Sequence, residues 1–235
     1  MKKKNIQYKG FSLIEMLLTM VIIMIVMLLV GTTLTTISKV SVTTTNKNLA
    51  RSDINYMMDI LSRTISNAGV EDIYLFDHDG RSIEENPVNG QLRIISSVPT
   101  GYDEGERIVD DGVPGNEIQV KIYGYDYWTC IGYFEDPTSN YGYVVKTTYK
   151  DDTIELDDNH SLCFTPTATL ELLHSYSINT SSFTIEPFNV GQDLNSQYIV
   201  EVEVEPLLWP IAESYPINRE IMRQAIMSTE ALMMY

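Results

Sequence analysis

The hydrophobic pattern of this chain changes character three times. Residues 11–30, "FSLIEMLLTMVIIMIVMLLV", form an apolar run without Gly or Pro and with one charge, Glu15. About 20 such residues at ~1.5 Å each span a hydrocarbon core, so a membrane-crossing helix is predicted there. Beyond Gly31 comes "TTLTTISKVSVTTTNKN", rich in β-branched Thr, a mediocre helix former. No Pro interrupts before Pro87, so the helix is expected to run on, held by neighbours rather than by propensity. From Ile54 an apolar stripe appears: Ile54, Met57, Met58, Leu61, Ile65 and Ala68 recur at three and four residues, with Asp53, Asp59 and Arg63 off it. Gly69 is the expected stop. A helix from Phe11 to Ala68 would be roughly 85 Å long.

The remainder alternates on a shorter period and reads as β. Extended segments are predicted at "QLRIISSV", "EIQVKIYGY", "YWTCIGYF", "YGYVVKTTY", "DTIELD", "SLCFTP", "ATLELLHSY", "SFTIEPF" and "YIVEVEVEP". In the last, Val200, Val202 and Val204 oppose Glu201, Glu203 and Glu205, the pattern of a half-buried antiparallel strand. Gly, Pro, Asn and Asp fill the breaks between segments, as turns require. The tail "NREIMRQAIMSTEALMMY" is ambiguous, because Met, Ala and Glu favour helix; a strand added to the sheet is the preferred reading.

Glu15 asks for an explanation. A carboxylate in a membrane segment costs roughly 2.5–3.5 kcal/mol on insertion scales, so it is a functional candidate by default. Upstream lies "MKKKNIQYKG", with Lys2, Lys3, Lys4 and Lys9 and no acid, which the positive-inside rule keeps cytoplasmic. An ordinary signal peptide would show a small-residue cleavage site after a short apolar core. Here the small residue, Gly10, precedes the run.

Those residues carry a resemblance. A basic leader ending in Gly10, then Phe11, then Glu15, then an apolar helix resembles a type IV prepilin. The resemblance implies an α+β protein with the type IV pilin fold: a long N-terminal hydrophobic helix packed on an antiparallel β-sheet head. It implies a membrane peptidase that cuts between Gly10 and Phe11 and methylates the Phe11 amine. It also implies that Glu15 meets the N-terminal amine of a neighbouring subunit in a helix bundle. Pairing would offset the cost of a lone buried carboxylate. The expected partners are the prepilin peptidase, other pilins or pseudopilins, an inner-membrane assembly platform and the membrane. The expected segments are a leader at 1–10, a membrane or filament-core helix at 11–31, an amphipathic continuation at 32–68 and a mainly β head at 69–235. More loosely, "ARSDINYMMDILSRTISNAG", "GNEIQVKIYG" and the tail with Arg219 and Arg223 are similar to PilW-type minor pilins and GspJ-type pseudopilins. The head departs from the usual major pilins in its size and in lacking a cysteine-bounded C-terminal loop.

Charge narrows the choice of function. The chain has 16 Lys and Arg against 32 acids, a net −16, and loss of the four leader lysines takes this to −20. Between residues 69 and 216 only Arg81, Arg93, Arg107, Lys121, Lys146 and Lys150 stand against 27 acids. Such a surface repels nucleic acid and anionic headgroups, so no nucleic-acid partner is expected. Heads of this charge would also repel one another if packed as a homopolymer, which favours a low-copy subunit. Tyr, at 15 residues, suits sheet packing and an exposed adhesive face equally.

Cys130 and Cys163 both follow the anchor, on the exported side, where pairing is allowed. A disulfide joining two strands is expected, with two buried free thiols as the alternative; neither cysteine belongs to a C-x-x-C or Cys/His cluster. "YLFDHDGRSIEEN" offers Asp77, Asp79, Glu84 and Glu85, but His78 and Arg81 intrude and a calcium loop needs regular alternate ligands, so a turn is favoured. His78, His160 and His174 have no nucleophile at readable spacing. No cofactor, metal or catalytic residue is predicted, and the chain is not read as an enzyme. The expected function is a minor type IV pilin that initiates or caps a filament. A pseudopilin of a type II secretion or competence system is the alternative, and a signal-anchored periplasmic binding domain that keeps residues 1–10 is the third.

Overall fold

In the computed structural model the described residues are 12–78, 81–85, 91–96, 106–108, 110, 112–139, 141–150, 163–165, 168–189, 196–207 and 220–229. One helix, α1 (Leu13–Ser66), leads into eleven strands. These are β1 (Ala68–Asp77), β2 (Arg81–Glu85), β3 (Leu92–Ser96), β4 (Glu106–Ile108), β5 (Glu117–Ile122), β6 (Tyr127–Asp136), β7 (Tyr141–Lys150), β8 (Glu171–Leu172), β9 (Ile178–Asn189), β10 (Gln197–Pro206) and β11 (Ile221–Ser228). The chain divides into two compact units, 1–46 and 47–235.

The first unit holds the apolar part of α1, whose large side chains from Leu13 to Val30 all stand exposed. It is the one helix among the described residues long and apolar enough to cross a membrane. In the Thr-rich stretch the hydroxyls turn inward. Thr32 and Thr33 donate to Leu29 O, Thr35 and Thr36 to Thr32 O, Thr43 to Lys39 O, Thr44 to Val40 O and Thr45 to Ser41 O. Each hydroxyl thus shares a carbonyl already used by the helix, the usual fate of Thr inside one.

The second unit is built around the predicted stripe. Ala50, Ile54, Met57, Met58, Leu61 and Ile65 of α1 are buried in one core with Leu75, Ile118, Val120, Ile131 and Val144 of the larger sheet. Phe183, Ile185, Val200, Val202 and Val204 of the smaller sheet close the same core. Each fully buried Leu or Ile is worth roughly 1.5–3 kcal/mol of transfer free energy. The stripe therefore fixes which face of α1 the sheets cover. Asp53, beside the stripe, accepts a bond from Ser175 Oγ at 2.6 Å and so pins the β8–β9 connection to the helix.

α1 ends at Ser66, two residues earlier than the sequence suggested. Asn67, not Gly69, is the stop: its Nδ2 donates to Arg63 O at 2.7 Å and its own amide to the same carbonyl at 3.3 Å. Its carbonyl in turn accepts the Tyr123 amide at 3.2 Å, so Ala68 and Gly69 already belong to β1.

The head has two sheets. The larger runs β3-β2-β6-β5-β1-β4, with β7 on the other edge of β6 and β8 on β7; the smaller runs β11-β10-β9. All pairs are antiparallel except β2 with β6, which meet in parallel at Ser82 and Glu135. This contact lies past Gly132, where β5 stops pairing with β6. The segment before β5 is stitched to β9, where Gly115 and Ile185 exchange both backbone bonds at 2.8 Å and the Gly112 amide donates to Pro187 O at 2.8 Å. Gly142 makes a second close approach: a Cβ there would lie 2.0 Å from Thr180 O, so β7 passes β9 only because the residue has no side chain.

Several strands match the sequence reading, and β10 shows the expected alternation, with Tyr198, Val200, Val202 and Val204 buried. The tail is strand β11, as preferred. Two segments differ. "SLCFTP" is not a strand where it is described: Cys163–Thr165 belong to no strand, and Cys163 and Phe164 pack their side chains in the second apolar cluster instead. "ATLELLHSY" keeps only two strand residues, because the chain leaves the ladder after Leu172 and His174 takes the next bond. Strands β1, β2 and β4 were not anticipated. "DTIELD" lies outside the described residues.

Candidate assembly site

The start of α1 is capped by Glu15. Ser12 O accepts the Met16 amide at 3.1 Å, the first helical bond, and Glu15 Oε2 reaches back to accept the Ser12 amide at 2.9 Å. Serine followed three positions later by Glu is the capping-box spacing, and the carboxylate also lies at the positive end of the helix dipole. In the isolated chain Glu15 is thus already hydrogen-bonded by its own backbone, a partner the sequence reading missed although S-x-x-E was there to see. Gly10 and Phe11 lie outside the described residues.

Cys130 and Cys163 are bonded to each other, with Cα atoms 6.1 Å apart across 33 positions of sequence. Cys130 lies in β6 and Cys163 in an irregular segment, so the bond ties a covering strap to the sheet rather than joining two strands. Around it a second apolar cluster gathers Ile83, Ile94, Trp128, Phe134, Tyr143, Val145 and Phe164. Phe164 meets Phe134 edge-on at 4.9 Å, and the absence of a side chain at Gly132 makes room for its ring.

The tempting polar groups have structural roles. Glu84 in β2 is ion-paired with Arg93 in β3, and Asp77 closes β1. Glu85 is the last residue of β2, in register with Leu92, and Asp79 falls outside what is described. His78 stacks on Phe134 at 4.8 Å, with Nε2 3.7 Å from the buried Glu117 Oε2, and its backbone is held on both sides by Asn116. Gln119 donates to the other Glu117 oxygen at 2.9 Å. His174 Nε2 accepts the Val144 amide at 3.2 Å while Nδ1–H donates to Ser175 O at 2.9 Å. Burial holds its pKa below the usual value despite the raising influence of that bond and of Asp53. Tyr133 donates to Glu135 Oε1 at 2.9 Å; burial first, and that carboxylate second, push its phenol upward. His160 is outside the described residues. Among the described residues no three His, Cys, Asp or Glu gather as a metal site would require. A cleft of ≈ 270 Å³ at the seam of the two sheets is lined by Asp77, Asn116, Tyr133, Ser181, Ser182 and Thr184. No charged nucleophile–base pair faces it.

The chain matches the prokaryotic N-terminal methylation motif over residues 7–31, a span that contains Gly10, Phe11 and Glu15. No curated protein and no solved structure matches it. With that motif set on a long apolar helix that leads into antiparallel-rich sheets, the protein is type IV prepilin-like. Interaction with a prepilin peptidase and with other pilins follows from the motif, and the apolar helix fits a single-pass membrane-anchored protein.

Proposed function

We propose that this chain is a minor type IV pilin, a non-catalytic subunit present in one or a few copies that initiates or caps a filament. A peptidase removes residues 1–10 and methylates Phe11, and the Lys-rich leader keeps the N-terminus cytoplasmic until then. Residues 11–31 anchor the precursor and later enter the filament core, the rest of α1 to Ser66 continues the stalk, and the remainder forms the head. Cys130 and Cys163 close their bond after export, and Glu15 turns from its own Ser12 amide to a neighbour's N-terminal amine on assembly.

The observation that carries this reading is the methylation motif on a helix whose side chains from Leu13 to Val30 are all exposed. A surface that apolar needs lipid or neighbouring helices to cover it. The charge of the head argues for low copy number, since 27 acids against six bases on every subunit would repel at the ~8 Å screening length of physiological salt. Quantitative mass spectrometry of sheared filaments tests it. Trace amounts, with fewer filaments of unchanged composition after deletion of the gene, are expected; this chain as the dominant component would overturn the reading.

A further inference from the structure

The smaller sheet has one covered face and one open face. Tyr198, Val200, Val202 and Val204 of β10 point into the core, so Ile199, Glu201, Glu203 and Glu205 line the opposite side. The register widens that side. Met222, Gln224 and Ile226 of β11 lie beside Glu203, Glu201 and Ile199, and Ser182, Thr184 and Glu186 of β9 flank the same three residues on the other edge. Met222 and Ile226 are 60 % and 67 % exposed there.

The charge on the open face has one sign. Glu201, Glu203 and Glu205 stand at alternate positions of one strand, about 6.6 Å apart. Glu186 lies alongside them, and Glu220 approaches Glu203. Arg223, the one base among the described residues of this sheet, is in register with the buried Val202 and so belongs to the other face. Burial first, then Glu220 and Glu201, hold the Glu203 carboxyl above its usual pKa. A nearby cation would relieve that repulsion.

The layout of the face says what form that cation takes. Among the described residues no three acids gather closely enough to hold a metal ion, and a metal would leave Met222 and Ile226 uncovered. A second copy of this head, nucleic acid or anionic lipid would each add negative charge. Only side chains point outward from the middle of a sheet, so a partner meets this face with its own side chains. In an α-helix residues four apart lie about 6 Å from one another, close to the step of the glutamate row. We infer that the open face of the smaller sheet docks a basic amphipathic helix of another protein, laid along β10. Lys or Arg at every fourth position meet Glu201, Glu203 and Glu205. Apolar residues on the flank of that helix cover Met222 and Ile226, one strand spacing of roughly 4.8 Å away. Lys and Arg suit this placing, because their stems lie on apolar surface while their charged ends reach the carboxylates. The contact is additional to those of the apolar helix and does not depend on copy number. It also gives the acids a reason to be there: they weaken the isolated sheet and strengthen the complex.

The test is site-specific photo-cross-linking of the full chain in membranes of cells that make it. Benzoylphenylalanine in place of Gln224, in the middle of the face, is expected to give an adduct with a different protein. Mass spectrometry should map it to a segment with Lys or Arg at four-residue spacing beside apolar residues. The same probe in place of Thr138, in the exposed β6–β7 turn, should not give that adduct. Glu201→Gln with Glu203→Gln should lower the yield by roughly fivefold or more, and so should Ile226→Ser. Salt at 1 M, where the screening length falls to about 3 Å, should lower it as well. The purified double glutamine variant should at the same time unfold at a higher temperature than the parent. A purely structural role would instead lower both readings, and that result would overturn the proposal. So would no adduct, an adduct with a second copy, with lipid or with an acidic segment, or a yield unchanged by the glutamines or by salt.

Discussion

His174 stands in for a strand at Val144: its Nε2 accepts the amide that β8 would have satisfied had it continued. The imidazole can do this only while neutral, because a protonated ring has two donors and no acceptor. Burial lowers its pKa in the folded state, so the unfolded chain binds the proton more readily. Stability should be complete above the ordinary His value and decline as pH falls below it, levelling once the depressed folded-state value is passed. Thermal unfolding from pH 7.5 to 5 should show this decline. In His174→Gln it should be weaker, at some cost at pH 7.5; an identical pH slope in the variant would refute the assignment.

Glu203 has the opposite sign. Partial burial and the neighbouring Glu220 and Glu201 raise its pKa, so folding favours the protonated acid and stability is lost as pH rises through the folded value. Glu203→Gln should raise the unfolding temperature at pH 7 by an amount worth a few tenths of a kcal/mol, since the site is exposed. The gain should fade as pH falls below the ordinary Glu value, since protonation of the acid removes the repulsion.

The Cys130–Cys163 bond closes a loop of 33 positions over the second apolar cluster. On the chain-entropy model its removal costs roughly 3–4 kcal/mol. Cys163→Ser should lower denaturant stability by that order and expose Trp128 and Phe134 to a polarity-sensitive dye. Non-reducing peptide mapping should recover the Cys130–Cys163 pair from native protein, whereas two alkylatable thiols would be the contrary result.

Substitution can separate the capping bond of Glu15 from its proposed assembly role. Gln at the third helical position still caps, so Glu15→Gln should keep the Ser12 bond yet lose the charge proposed to meet a neighbour's amine. The variant is expected to be processed normally and be recovered in sheared filaments at less than a tenth of the parent level. Wild-type incorporation would leave the charge without an assembly role.

Gly10 is expected to be the residue before the cut, since it lacks the Cβ that would obstruct an extended substrate. Gly10→Val should accumulate full-length precursor in membranes. N-terminal sequencing of the parent should begin at a methylated Phe11.

The helix and the clearest strands were legible because each buries one face and shows its period. The stripe from Ile54 to Ile65 and the valines of β10 are the best cases. β1 escaped notice because Leu75 and Phe76 are buried on opposite faces, leaving no alternation, and because Glu71 and Asp72 break the apolar run. β11 was ambiguous because an edge strand with one covered face can be built from Met and Ala, which also suit a helix. Cys163 misled in another way: a short apolar run reads as a strand, but here it is a strap held by a covalent bond and by Phe164. At the N-terminus the motif was plain in the sequence, and so was the capping spacing of Ser12 and Glu15, which attention to the membrane cost of the acid passed over.

The threonine stretch has a further consequence for how such a subunit travels. Its seven threonine hydroxyls already donate to helix carbonyls, so at those positions what faces outward is largely methyl. Between them Leu34, Ile37, Val40 and Val42 add apolar surface, and Ser38, Lys39 and Ser41 polar surface. At the threonine positions themselves the surroundings matter little, because each hydroxyl brings its own acceptor whether lipid, water or another helix lies outside.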